Sequence, residues 1–263
     1  MGNSHYWVSK RLFATGIALG AQGTRTGGEA GTRLLAEAVA AYRAALQIRR
    51  REHLSEGWAQ THNNLGEAYW ALAHWQEAAE SYRNVLSLYP DDSNAYAICH
   101  AIYHEKLFLY SEAFALTKEW LGRHPDDLAA EGNFAEVHVT TGRFAEAPEK
   151  LAALISNSHL PVATSLGLRA LEIANLVALN TTDSLPGKLD ALQDVIASQP
   201  ESFTGEWFFE GTKHFIGQKQ TFARHRSWLL DLLAGVEGKK RDEMLVAIEA
   251  ARKAFRASLD SSN

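Results

Sequence analysis

A four-residue phrase, an aromatic residue followed by any residue, Glu and Ala, returns at a fixed interval in this chain. It reads Trp75-Gln76-Glu77-Ala78, Tyr110-Ser111-Glu112-Ala113 and Phe144-Ala145-Glu146-Ala147, with its alanines 35 and then 34 residues apart. A period of this length is that of a helix pair, and one pair alone cannot bury its apolar face. Successive copies must therefore stack and share a continuous core, leaving a long face open. The default use of such a face is to hold another chain.

The clearest copy runs from about Ala59 to Asp92. Leu65, Gly66 and Tyr69 fall on one face of its first helix, and Gly66 is small enough to let a second helix approach closely. Ala78 does the same from the other side, and Tyr82 and Val85 continue the buried stripe of the second helix. Pro90 stops that helix, and Asp91-Asp92 supply acceptors and negative charge where the next one begins.

A second copy starts at Ser93, sets Tyr96, Cys99, Tyr103 and Ala113 in the same register, and closes at Pro125-Asp126-Asp127. His100 stands at its small-residue position and one extra residue precedes Tyr110, so a looser helix contact is expected. The third copy starts at Leu128, aligns Phe134, Ala135, Gly142, Ala147, Leu151 and Leu154, and closes late, at Pro161. An earlier copy is longer: Gly16, Ala18, Gly23, Arg25 and Gly27-Gly28 precede the run Leu34 to Leu46, and Arg49 to Glu52 form a basic spacer.

These spaced positions resemble the tetratricopeptide repeat, and the glycine-rich turn with its Arg-rich spacer resembles the long bacterial variant of that repeat. The resemblance covers about residues 12 to 161. It implies an all-α fold, a right-handed solenoid of antiparallel helix pairs with a divergent helical cap at the carboxyl end. The expected organisation is a repeat array of about four helix pairs over 1–161, a divergent pair over 162–200 and an aromatic-rich cap over 201–263. Leu166-Gly167 with Ala170, and Leu189-Asp190-Ala191 with Val195 and Pro200, carry the faded pattern of the divergent pair. In the last segment Trp207, Phe208, Phe215, Trp228, Leu229 and Leu232 suit a cover for the final apolar face, or else anchors for a partner.

Composition narrows the function. The net charge of −5, from 26 basic and 31 acidic residues, gives no global field for nucleic acid. The runs Arg49-Arg50-Arg51 and Lys239-Lys240-Arg241 read as solvated helix ends. A single cysteine precludes an intrachain disulfide and fits a reducing, cytoplasmic setting. Lys10-Arg11 and the stretch Leu12 to Ala21 look like parts of a secretory signal, but the stretch is short and glycine-rich, and Gly16 and Ala18 fit the repeat register. Tyr6 breaks the myristoylation motif that would begin at Gly2, and no run is long enough to cross a bilayer.

The best chemical constellation is Cys99, His100 and His104, whose histidines lie one helical turn apart and could share a metal. The register instead turns Cys99 and His100 towards the neighbouring helix, as packing. No phosphate-binding loop, nucleophile elbow or His-Glu-x-x-His helix is present. The Asp91-Asp92 and Asp126-Asp127 pairs follow prolines and read as helix starts, not catalytic acids. Neither cofactor nor metal is expected.

In the repeat family the first helix of each pair lines a concave groove. Counting from Ala59, Ser93 and Leu128, the residues expected to meet a partner are Gln60, Asn63, Glu67, Trp70, Asn94, His104 and Glu136. No lysine or arginine is among them, so the grip that chaperone-binding members exert on a terminal carboxylate is not expected. A partner segment with small or basic side chains would suit Glu67 and Glu136, with Trp70 as an apolar anchor.

The expected role is that of a non-enzymatic scaffold or adaptor for a protein or peptide, acting through the groove or the carboxyl-terminal aromatic segment. The resemblance further implies the recognition component of a bacterial signalling or peptidase-associated system. Two alternatives are an enzyme or metal protein using Cys99, His100 and His104, and a self-assembling structural repeat. The oligomeric state is open.

Overall fold

A computed structural model of the chain describes residues 2–51, 53–205 and 207–260, so Glu52 of the spacer and Glu206 of the aromatic run lie outside the described residues. Among the described residues the fold is all α, and its one extended contact is an isolated bridge between Thr204 and Lys240. The chain divides into two compact units between Leu107 and Phe108.

The first unit holds α1 (Gly2–Thr26), α2 (Gly28–Leu46), α3 (Ser55–Ala71), α4 (Trp75–Leu88) and α5 (Ser93–Ala101), each packed on its sequence neighbour. Gly27 and Gly28, at φ of 63° and 57°, make the left-handed turn between α1 and α2. Gly66 of α3 lies under the Tyr82 ring of α4, where a Cβ would stand 2.8 Å from Cε2. The close approach that the repeat register requires is therefore present. Gly66→Leu is expected to lower stability by about 1 to 3 kcal/mol through overpacking. An unchanged melting temperature would refute that contact.

Helix starts follow the prolines as expected. The Asp92 carboxylate accepts from the Ala95 amide at 2.9 Å at the start of α5. Asp127 does the same for Ala129 and Ala130, at 3.1 and 3.0 Å, at the start of α7 (Leu128–Thr140). After Ala101 the first unit departs from the repeat, because α5 runs on into a π-helical turn, Ile102–Lys106. A π turn accommodates an additional residue, which accounts for the extra one counted before Tyr110.

The second unit contains α6 (Tyr110–Leu121), α7, α8 (Ala147–Ile155), α9 (Val162–Ala178) and α10 (Leu185–Ala197). It ends in α11 (Glu210–Gln218), α12 (Arg226–Val236) and α13 (Arg241–Asp260). Pro148 and Pro186 fall in the first turns of α8 and α10, where the missing amide costs little. One apolar cluster joins Leu151, Leu168, Leu171, Leu189 and Ile196 of α8 to α10 with Phe209, Phe222, Leu229 and Leu232. Each such side chain contributes about 1.5 to 3 kcal/mol of burial.

The last three helices do more than close an end. α11 lies on α7, α12 on α9, and α13 on both α10 and α12. Phe215, Trp228, Leu229 and Leu232 are buried there and Trp207 is partly buried, whereas Phe208 is 58% exposed. Phe208, expected among the covering residues, is thus corrected to a surface position.

Candidate protein-binding groove

Five of the seven residues expected to meet a partner lie on the first unit with their side chains wholly or partly open. Gln60, Glu67 and Asn94 are exposed, Asn63 is half-buried, and Trp70 is 36% exposed. Four of the five fall on α3 at helical spacing, which puts them on one face. Asn63 Nδ2 donates to Glu67 Oε1 at 2.9 Å, holding the carboxylate beside the amide. The Trp70 indole meets Trp75 edge to face, 5.0 Å between centroids, at the end of the row.

A concavity of about 210 Å³ runs between α1 and α3. Ile17, Ala21 and Thr24 line it from α1, Asn64 and Glu67 from α3, and Tyr42 of α2 forms its floor. Burial raises the Tyr42 pKa, a hydrogen bond with Asn64 opposes that rise, and the Glu67 charge adds to it. The phenol is therefore a neutral hydrogen-bonding group at physiological pH. Ile17, Ala21 and Thr24 line this concavity from a helix that the register counted from Ala59 does not reach. Gly16, Gly20 and Gly23 seat α1 against Tyr42, Ala38 and Leu35 of α2, and the residues that follow them, Ile17, Ala21 and Thr24, line the concavity beside that contact, with Gly20 in its wall as well.

Two expected groove residues are elsewhere. His104 is 1% exposed, because the π turn after Ala101 changes the helical phase and carries it inward. Glu136 is 4% exposed, and its Oε1 accepts a hydrogen bond from Thr212 Oγ1 at 2.5 Å. The same face of α7 is covered at Gly132, where a Cβ would stand 3.1 Å from the Trp207 ring. In the second unit the chain's own 207–212 segment thus occupies positions that the repeat register assigns to a partner.

The tempting chemical residues are built into the core. Cys99 is fully buried and burial pushes its thiol up to about 12, so no thiolate forms at neutral pH. His100 and His104 stack at 14° with centroids 5.7 Å apart. Burial pushes them down to about 4 and about 3, so both are neutral. No group of three His, Cys, Asp or Glu side chains among the described residues is placed to hold a metal.

Arginine does, however, adjoin the groove. A second concavity, about 410 Å³, lies at the amino end of α3, with Lys10, Arg49, His53, Glu56 and Gln60 in its walls. Arg49, expected on a solvated helix end, is only 6% exposed. Its position depends on α1 and α3 closing around the spacer, which the local charge run does not reveal.

Residues 59–92 match the family model of the tetratricopeptide repeat. No curated protein matches the chain. No helix among the described residues is long and apolar enough to cross a membrane.

Proposed function

The chain carries a tetratricopeptide repeat at residues 59–92, a protein–protein interaction module, and from this premise we propose that the groove between α1 and α3 holds a segment of a partner protein. The observation that carries this reading is the contrast between the units. On α3 the row Gln60, Asn63, Glu67 and Trp70 is open, while on α7 the corresponding Gly132 and Glu136 are covered by the chain's own residues.

The partner segment is extended or helical with small side chains facing Ala21 and Thr24 and a basic one facing Glu67. Trp70 packs an apolar side chain, and Asn63 and Asn94 offer hydrogen bonds. Phe208 is an exposed aromatic of the carboxyl-terminal segment and a lesser anchor, since Trp207, Phe209 and Phe215 are committed to packing. The setting we assign is cytoplasmic, with Cys99 a buried free thiol, in the recognition arm of a bacterial signalling or peptidase-associated system.

The test is a partner recovered from the native host and titrated calorimetrically. Trp70→Ala is expected to weaken it about tenfold or more, as truncation of an interface anchor does, with the melting temperature unchanged. Unaltered affinity for Trp70→Ala and Glu67→Gln together would refute the groove as the binding surface.

A further inference from the structure

The concavity at the amino end of α3 is lined by two cations, Lys10 and Arg49, that form no ion pair among the described residues, in a chain of net charge −5. Arg49 is held from three sides. Its Nη1 donates to the Gly57 carbonyl at 3.2 Å and to Thr61 Oγ1 at 3.0 Å, and its guanidinium lies 4.2 Å from the Phe13 centroid. None of these partners is charged, and no carboxylate among the described residues pairs with it. Burial pulls the guanidinium's pKa down, with the Tyr6 hydroxyl opposing, which is the response of a charge shielded from water and left uncompensated. Lys10 stands on the same wall, its Nζ 4.9 Å from the Tyr6 centroid, also without an ion pair among the described residues.

The helix end adds to this field. Leu54 precedes α3 and offers no side-chain acceptor to the first-turn amides, so the positive end of the helix dipole is uncapped beside the concavity. His53 contributes a further donor, and Glu56 is the single carboxylate in the lining. A buried guanidinium held in one orientation by two neutral acceptors and an aromatic face presents its remaining N–H groups to an incoming acceptor at little entropic cost. An oxyanion entering here would recover the interaction that the charge otherwise forgoes.

We propose that this pocket is an oxyanion-binding site, taking a carboxylate or phosphate group, with Arg49 and Lys10 as its cationic ligands. The volume exceeds that of one such group, so a larger molecule presenting it also fits. Gln60 lies in both this pocket and the α3 row, which would let one ligand span the two. The site itself does not depend on the α3 row binding anything.

The experiment is calorimetric titration of the full chain at low salt with inorganic phosphate, and separately with a short poly-glutamate peptide. Saturable binding is expected, weakening as sodium chloride is raised. Lys10→Gln, which removes no hydrogen bond, should weaken it about threefold. Arg49→Gln should weaken it about tenfold or more if that variant folds. Glu56→Gln should tighten it, an effect that a purely structural role for Arg49 would not produce. Tighter binding of the peptide than of phosphate assigns the site to a ligand-borne acid, and equal or weaker binding assigns it to the free ion. No saturable binding by either probe, or binding indifferent to both Lys10→Gln and Glu56→Gln, overturns the proposal whatever becomes of the groove.

Discussion

Acidification from pH 6.5 to 5 is expected to destabilise residues 1–107 by several kcal/mol, before the carboxylates begin to titrate. His100 and His104 are held neutral by burial, pushed down to about 4 and about 3, and the proximity of His100 lowers His104 further. An unfolded histidine titrates near 6.5. Between that value and the folded ones, the unfolded chain binds protons that the folded chain refuses. Stability is therefore fully present above pH 6.5 and is lost as pH falls. Each such histidine contributes a slope approaching about 1.4 kcal/mol per pH unit once its unfolded form is protonated. His62, also pushed down to about 4 by burial, adds in the same direction. The check is a series of chemical denaturation curves at fixed ionic strength. His100→Leu should reduce the slope by one proton's share, and it replaces a ring whose Nε2 has no hydrogen-bond partner among the described residues. A midpoint that does not move between pH 7 and 5 would show that these rings are open to water.

What the sequence discloses here is what helical spacing encodes locally. Gly66, Ala78 and Tyr82 form a contact between neighbouring helices, so their period predicts both the fold and the buried positions of Cys99 and His100. Asp92 and Asp127 are equally legible, because a cap lies within three residues of the amides it serves. The errors arise where distant segments meet or the helix changes phase. His104 turns inward because one inserted residue is absorbed as a π turn, which a count at fixed period carries straight through. Glu136 is withdrawn by Thr212, 76 residues further on, and no pattern around either residue announces the pairing. Arg49 reads as a charge run until Phe13, Gly57 and Thr61 close around it. The open row Gln60, Asn63, Glu67 and Trp70 on α3 was thus within reach of the register, and the pocket beside it was not.

Gly167→Ala is expected to destabilise the chain by about 1 to 3 kcal/mol, although alanine is the better helix former by about 1 kcal/mol. Gly167 lies within α9, and a Cβ there would stand 2.4 Å from Trp207 Cδ2 and 2.5 Å from Cγ. On its other edge the indole faces Gly132 of α7, so it is seated against two glycines on two first helices. A methyl group at 167 displaces a fused ring system, not the free end of a flexible chain, and the ring is constrained on the α7 side. The sign of the substitution should therefore depend on Trp207. In a Trp207→Ala background the clash is gone and Gly167→Ala should become neutral or stabilising, giving a coupling of about 1 to 3 kcal/mol in the double-mutant cycle. Equal effects in the two backgrounds would mean that Trp207 does not occupy this seat. The same cycle bears on the covered face of α7. If the indole leaves, the segment that holds Thr212 against Glu136 loses its anchor. Proteolytic cleavage between residues 200 and 210 should then rise in Gly167→Ala relative to the parent chain, as local opening exposes the backbone.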